Sequence, residues 1–198
     1  MSETKQPPHL RTKRLVLRPF ALSDAADVQR LAGDKAVADM TLNIPHPYLD
    51  GVAEQWISTH QTQFDSGEAC ILAVTLAATG GFIGSISLMI SRRSNRAELG
   101  YWIGAPYWNK GYCTEAAGAM LDYGFRALAL NRVHATHMAR NPASGRVMIK
   151  LGMKHEGVMR QHAKKGDRYE DMVLYGIMAE EWHANNARAG QERGTTNG

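Results

Sequence analysis

The sequence predicts an α+β domain, mixed α/β in character, built on one central sheet with helices around it. Three observations point there. Between residues 70 and 103 lie three apolar, β-rich runs separated by short polar turns, the pattern of an antiparallel meander. After residue 114, stretches of helical spacing alternate with short strands. The length of 198 residues suits one hydrophobic core and is tight for two.

The elements follow in order. Residues 1–10 are polar, carry Pro7-Pro8 and read as a flexible tail. Leu15-Val16-Leu17-Arg18-Pro19-Phe20 is a first strand. Ser23 or Asp24 caps a helix that runs to about Ala32. Residues 50–64 give a second helix, with Val52, Trp56 and Ile57 on its apolar face. Asp65-Ser66-Gly67 is a turn. Strands over 70–76 and 82–90 flank the hairpin signal Thr79-Gly80-Gly81, and a strand over 97–103 follows the polar turn 92–95.

Residues 114–130 read as a helix, 132–138 as a strand, and Asn141-Pro142 opens another helix. Gly152 closes that helix as the residue after its C-cap. Final strands cover 153–161 and 168–178. Residues 184–198 offer almost nothing to bury and read as a disordered tail, which leaves 11–183 as the domain.

Composition narrows the function classes. With 44% hydrophobic and 21% charged residues the chain is ordinary for a soluble protein. No apolar run approaches the ~18 residues of a membrane helix, and the first ten residues lack a signal-peptide core. No membrane partner is expected. Cys70 and Cys113 are too few for a disulfide framework and fit a reducing cytoplasm. The formal charge is +4, and residues 1–18 alone sum to +4 (Lys5, Arg11, Lys13, Arg14 and Arg18 against Glu3). The remainder balances at zero, so no basic face argues for nucleic acid. No His or Cys spacing resembles a zinc site, and no metal is expected. His134 and His137 point to opposite faces of their strand and read as structural or exposed.

The segment that carries chemistry is Trp108-Asn109-Lys110-Gly111-Tyr112-Cys113-Thr114-Glu115, between a strand and a helix. A helix start presents unpaired amides and partial positive charge. Gly111 permits positive φ and close approach, and Lys110 adds a cation. The unit suits a diphosphate, although an ordinary strand-to-helix turn explains it equally well on composition alone. It is neither a Walker loop nor a Rossmann fingerprint.

The same stretch resembles motif A of the GNAT superfamily of N-acetyltransferases, in its RimJ/RimL branch. The family pattern Gln/Arg-x-x-Gly-x-Gly/Ala falls on residues 108–113. Gly111 matches, Trp108 replaces Gln/Arg, and Cys113 replaces the last small residue. Arg14-Leu15-Val16-Leu17-Arg18, Glu98-Leu99-Gly100-Tyr101-Trp102-Ile103, Asn141-Pro142-Ala143-Ser144 and Lys150-Leu151-Gly152-Met153 agree with the branch, so the resemblance covers roughly 11–180.

The resemblance implies the GNAT-type acyl-CoA N-acyltransferase fold, a central mixed, mostly antiparallel sheet flanked by helices, with acetyl-CoA as cosubstrate. The backbone of Tyr101, Trp102 and Ile103 would hold the pantetheine arm. Amides of Asn109, Lys110, Gly111, Tyr112, Cys113 and Thr114 would hold the pyrophosphate. Asn141, also a helix N-cap, would bond the cofactor arm with its free NH₂. Ser144 would protonate the leaving thiolate, against a plain reading as a solvent-facing or backbone-bonded serine. The two strands beside the loop would splay to admit the cofactor. Related proteins are often dimers, and a homodimer is expected.

Glu98 is the leading base, against a reading as a surface carboxylate paired with Arg93 or Arg96. Tyr112 and Tyr169 are reserve acids. Direct attack of an amine on the thioester is expected, without an acetyl-Cys113 intermediate. From reference pKa values of ~8 and ~10.4, an α-amine is about a quarter neutral at pH 7.5 and a lysine on the order of 0.1% neutral. With a single obvious base, a protein N-terminal α-amine is the favoured acceptor. A small-molecule amine (amino acid, polyamine or antibiotic) is the alternative, and a CoA-binding domain without turnover stands further off. Residues 34–48 and 164–169 are the acceptor-side segments.

Overall fold

The computed structural model describes residues 6–194. Eight strands form one sheet in the order β1-β2-β3-β4-β5-β6-β8-β7. They are β1 (Leu10–Arg11), β2 (Leu15–Arg18), β3 (Ala69–Leu76), β4 (Phe82–Ser91), β5 (Arg96–Ile103), β6 (Arg132–Met138), β7 (Lys154–Lys165) and β8 (Arg168–Met178). Every neighbouring pair is antiparallel except β5 and β6, which run parallel. The mixed, mostly antiparallel sheet is as expected.

The helices are α1 (Ala25–Ala32), α2 (Lys35–Asp39), α3 (Val52–Ser58), α4 (His60–Ser66), α5 (Tyr112–Arg126), α6 (Pro142–Lys150) and α7 (Ala179–Gly194). One face of the sheet packs on α5 and α6. There Leu72, Leu88, Leu99 and Val133 from four strands meet Met120, Leu121 and Met148. The other face carries a smaller cluster in which α1 and α3 cover Ala73 and Phe82. Alternation along each strand divides its side chains between the two clusters.

Several elements differ from the sequence expectation. The helix over 50–64 is two helices, because Thr59 ends the first with a φ of −83° and ψ of −17° while its hydroxyl bonds back to the Trp56 carbonyl. Asp24 does not cap α1. Its carboxylate instead receives the Arg18 guanidinium at 2.8 Å through both oxygens, and the Ala21 amide at 2.8 Å. A buried carboxylate is satisfied better by a guanidinium fork than by one helix amide. Residues 10 and 11 form a short strand on β2, so the N-terminal tail is shorter than the expected 1–10, and residues 1–5 lie outside the described residues. α7 runs to Gly194, past residue 183 where a tail was expected. Trp182 anchors its first turns, 8% exposed against Phe125. Residues 195–198 lie outside the described residues. The β7–β8 ribbon extends four residues beyond the expected 161, with register shifts at 155–157 and 159–163.

His60 sits in the smaller cluster against Phe20 and Trp56, and neither ring nitrogen has a hydrogen-bond partner. Burial pushes its pKa from 6.5 down to about 4. Between those values the unfolded chain binds a proton that the folded chain refuses, so stability is full above pH 6.5 and falls as the pH drops toward 4. His60→Phe should keep its Tm through that window. The wild type should lose on the order of 2 kcal/mol, or about 4–8 °C, more than the variant. Parallel thermal melts of both proteins at pH 7 and pH 4.5 check this. Equal losses would exclude His60 as the source.

Candidate active site

The site starts from incomplete pairing. β5 and β6 are in register only at Arg96↔Arg132, Ala97↔Val133 and Glu98↔His134. Beyond that point both strands continue, β5 to Ile103 and β6 to Met138, without pairing to each other. A gap therefore opens from Glu98 toward the C-terminal ends of both strands, the splay that the resemblance implied.

Which backbone groups face the gap follows from the ladder. In an antiparallel pair, alternate residues exchange their hydrogen bonds with the partner strand. The Gly104 amide donates to the Ile83 carbonyl at 2.9 Å, and the β4–β5 register then assigns Trp102 and Gly100 to the same phase. Their main-chain groups point at β4. Those of Leu99, Tyr101 and Ile103 point into the gap. The Ile103 carbonyl is already taken by the Trp108 indole N–H at 2.6 Å. Of the three residues expected to offer backbone groups to a cofactor, Tyr101 turns both main-chain groups into the gap, Ile103 has only its amide free there, and Trp102 faces the other way.

The loop beyond β5 ends on α5. Asn109 and Gly111 hold positive φ, 59° and 77°. Gly111 is the N-cap of α5, and no side chain caps that end. The first-turn amides of a 15-residue helix are thus left for another acceptor, with the positive end of the helix dipole behind them. The loop is held from below. Arg14 bonds Glu115 at 2.6 Å and the Lys110 carbonyl at 2.9 Å, and its guanidinium lies 4.6 Å from the Tyr112 ring centre. Thr12 Oγ1 and the Arg14 amide complete the Glu115 carboxylate at 2.6 and 2.7 Å. That carboxylate therefore does not repel an anion at the helix start. Lys110 Nζ turns to the Pro106 carbonyl at 3.0 Å.

Across the gap stands the start of α6. Asn141 caps it, its Oδ1 accepting from the Ser144 amide at 3.3 Å. The NH₂ group expected to be free instead donates to the Met40 carbonyl at 3.0 Å, tying α6 to the loop after α2. The Ser144 hydroxyl lies 3.0 Å from the Tyr101 hydroxyl, which also donates to the Ser144 carbonyl at 3.1 Å. A hydroxyl pair thus bridges β5 and α6. Burial, with the nearby Cys113 thiol adding to it, pushes the Tyr101 phenol up. Burial alone pushes Cys113 up to about 12, which keeps it a thiol at neutral pH. That favours no covalent role for it.

Glu98 stands at the apex of the gap, on the α1 face. Its partners are neither Arg93 nor Arg96. Thr136 Oγ1 donates to Oε1 at 3.1 Å, and His134 Nε2 lies 4.0 Å from Oε2. The carboxylate is 47% exposed. It borders a solvent-open depression of about 270 Å³ shared with Glu68, Met89, Ser91, Arg96 and His134. The two acceptor-side segments also meet: Lys165 Nζ donates to the Leu42 and Ile44 carbonyls at 3.2 and 3.0 Å.

The fold thus gathers Glu98, Tyr101, Asn141, Ser144 and the 109–114 loop around one gap. The side chains of the two reserve acids are turned elsewhere. Tyr112 lies under Arg14, and Tyr169 is 65% exposed beside Lys164 on the β7–β8 ribbon. Sequence reasoning did not place Arg14, Thr136 or the Tyr101 hydroxyl at this gap, and it read His134 as structural or exposed. Only the strand alternation of His134 and Thr136, which sets both on one face of β6, hinted at a shared role. Among the described residues no group of three His, Cys, Asp or Glu side chains is arranged to hold a metal. No described helix is long and apolar enough to cross a membrane.

Comparison with known proteins gives the family. A model of the GNAT acetyltransferase domain matches residues 14–154. The chain is 33% identical to the uncharacterized N-acetyltransferase YnaD of Bacillus subtilis over 176 residues, 88% of this chain and 99% of the relative. A crystal structure of a GNAT-family acetyltransferase from Bacillus anthracis superposes with a TM-score of 0.78 at 27% identity, covering 88% of this chain and 100% of the other. RimL, the ribosomal L7/L12 alpha-N-protein acetyltransferase, solved in complex with coenzyme A, shares the fold. Its TM-score is 0.80 at 19% identity, over 86% of this chain and 98% of that one. An acetyltransferase family model over most of the chain, a full-length relative and a gap ending at an uncapped helix start converge: the protein belongs to the GNAT family of N-acetyltransferases.

Proposed function

We propose that this enzyme transfers the acetyl group of acetyl-CoA directly to a primary amine, and that the amine is the α-amino group of a protein N-terminus. The observation that carries the first half is the β5–β6 gap running from Glu98 to the uncapped start of α5. The pyrophosphate sits on the amides of residues 109–114, where unpaired N–H groups and the helix dipole favour an anion. The pantetheine arm lies along the gap-facing backbone of Leu99 and Tyr101, completing the β5 edge as a strand would. The thioester then reaches the apex beside Glu98. Its sulfur faces the Tyr101–Ser144 hydroxyl pair, which returns a proton to the departing thiolate. The Asn141 NH₂ reaches the arm by exchanging its bond to the Met40 carbonyl.

The second half rests on chemistry. An α-amine is already partly neutral at pH 7.5, so it asks little of its base. Glu98, half-exposed and bonded only to Thr136, is suited to a modest demand. Two unpaired thiols suit a cytoplasmic setting.

Thiol release from acetyl-CoA, measured against peptides starting with Ala or Ser, the same peptides with blocked N-termini, and spermidine, tests the reading. Turnover only with free N-termini is expected. Turnover with spermidine and blocked peptides alone would assign a small-molecule amine, and none with any acceptor would leave a CoA-binding domain.

Two variants probe the machinery. Glu98→Gln should lower kcat/KM at pH 7 by about 10–100-fold, below the full range of general-base effects because the amine is partly neutral. Raising the pH should recover part of the loss. Equal activity of variant and wild type across pH 6–9 would remove Glu98 as base. Gly111→Ala places a Cβ on a residue with φ of 77° at the α5 start, a strain of about 1–2 kcal/mol. The amides should shift, and CoA affinity by calorimetry should fall about tenfold, the same energy expressed as binding. An unchanged Kd would move the pyrophosphate elsewhere.

A further inference from the structure

Glu98 must lose the proton it takes before the next turnover, and its surroundings suggest where that proton goes. It stands on a boundary. On one side is the cofactor gap. On the other is the depression bordered by Glu68, Met89, Arg96 and His134. The last register pair before the strands part is Glu98↔His134, so the two side chains share a face at the apex by construction. Thr136, two residues on along β6, holds Oε1 and leaves Oε2 toward the ring, where His134 Nε2 lies 4.0 Å away. That separation is too long for a direct hydrogen bond, and one water or a small rotation of either side chain closes it. Nδ1 is buried without a hydrogen-bond partner, so Nε2 is the ring atom that can exchange protons with Glu98.

The geometry points to His134 as a positioning residue that acts through Glu98: it accepts the proton Glu98 has removed from the amine and delivers it to the solvent-open depression. This rests on the reading of Glu98 as base. The steps balance. The amine lone pair forms the new C–N bond, the C–S bond breaks, and its electron pair leaves as CoA thiolate, which takes a proton from the hydroxyl pair; water returns one proton to that pair, so a neutral amine releases no net proton. The ammonium proton passes to Glu98, then to His134 Nε2, then to water, and the carboxylate is restored.

The electrostatics suit a transient carrier. Burial lowers the His134 pKa, with Arg96 on β5 and Arg132 on β6 acting the same way, while Glu98 and the Ala97 backbone oppose them. Glu156 on β7 pairs with Arg132, and Glu68 borders the depression. The ring is therefore neutral and receptive at pH 7, and gives up a proton readily. Opposite it on β8 stands Gly176, and the place its missing side chain leaves is filled by the Arg132–Glu156 ion pair.

Two measurements decide the matter. By NMR, which needs no acceptor, the His134 ring should titrate at lower pH in Glu98→Gln than in wild type, because the opposing carboxylate is gone. An identical titration would overturn the coupling. In turnover with acetyl-CoA and an Ala-start peptide, His134→Ala should lower kcat about tenfold at pH 7 and leave the KM for acetyl-CoA unchanged. Added imidazole should restore kcat through the open depression. His134→Asn, closer in size, should show the same loss in case the alanine variant folds poorly. Full kcat in either variant, or a loss in a folded variant that imidazole does not relieve, would overturn the outlet. A fully active Glu98→Gln would instead bring down the base reading itself, whereas a Glu98-dependent enzyme with fully active His134→Ala loses the outlet alone.

Discussion

Everything at the site depends on two parallel strands that begin as neighbours and stop pairing after Glu98↔His134. A sheet leaves main-chain donors and acceptors unpaired at such a split, and unpaired groups away from water are costly. One of the openings here is closed by a side chain, the Trp108 indole on the Ile103 carbonyl, and the Tyr101 hydroxyl ties β5 to the first turn of α6. What remains open is a short length of β5 edge leading to a helix start that no side chain caps. A ligand with a hydrogen-bonding arm and a doubly charged anionic group completes both deficits at once, which is why the gap and the loop read as one site.

The split is held apart by packing rather than by the strands. Leu99 and Ile103 of β5, Val133 and Ala135 of β6, Met120 and Leu121 of α5 and Met148 of α6 share the larger core, so both strands are fixed by the helices on that face. The rims are fixed by polar links of long sequence separation. Arg14 and Thr12 near the N-terminus hold Glu115 at the start of α5. Asn141 and Lys165 hold the segment 40–44 from two sides. The start of α5 and the segment 40–44 are therefore braced by different parts of the chain.

The gap separates two kinds of chemistry. At its α6 wall are hydroxyls whose protons burial keeps in place, Tyr101 above all. At its apex are a half-exposed carboxylate and an imidazole that burial keeps neutral. On the proposed reading, the hydroxyl pair and the carboxylate stand on opposite sides of the thioester. This arrangement fits transfer without a covalent enzyme intermediate, and the buried Cys113 thiol agrees with it.

The sequence alone determined the meander, the alternation of helix and strand after it, and the strand–loop–helix unit around Gly111. Local rules set these: turn residues at Thr79-Gly80-Gly81, Asn141-Pro142 opening α6, Gly152 closing it, and a glycine where α5 begins. The likeness of the 108–115 segment to motif A carried the cofactor reading, because a backbone site is written in the residues that shape the backbone. Tertiary structure alone decided the partners. That Glu98 faces His134 and Thr136 rather than Arg93 or Arg96 depends on the register of β5 against β6, two strands separated by the whole of α5. That Asn141 spends its NH₂ on Met40, and that Tyr101 meets Ser144, follows from how α6 and the 40–44 segment pack. Register and packing are set by burial summed over the whole core, and no local pattern of residues encodes them.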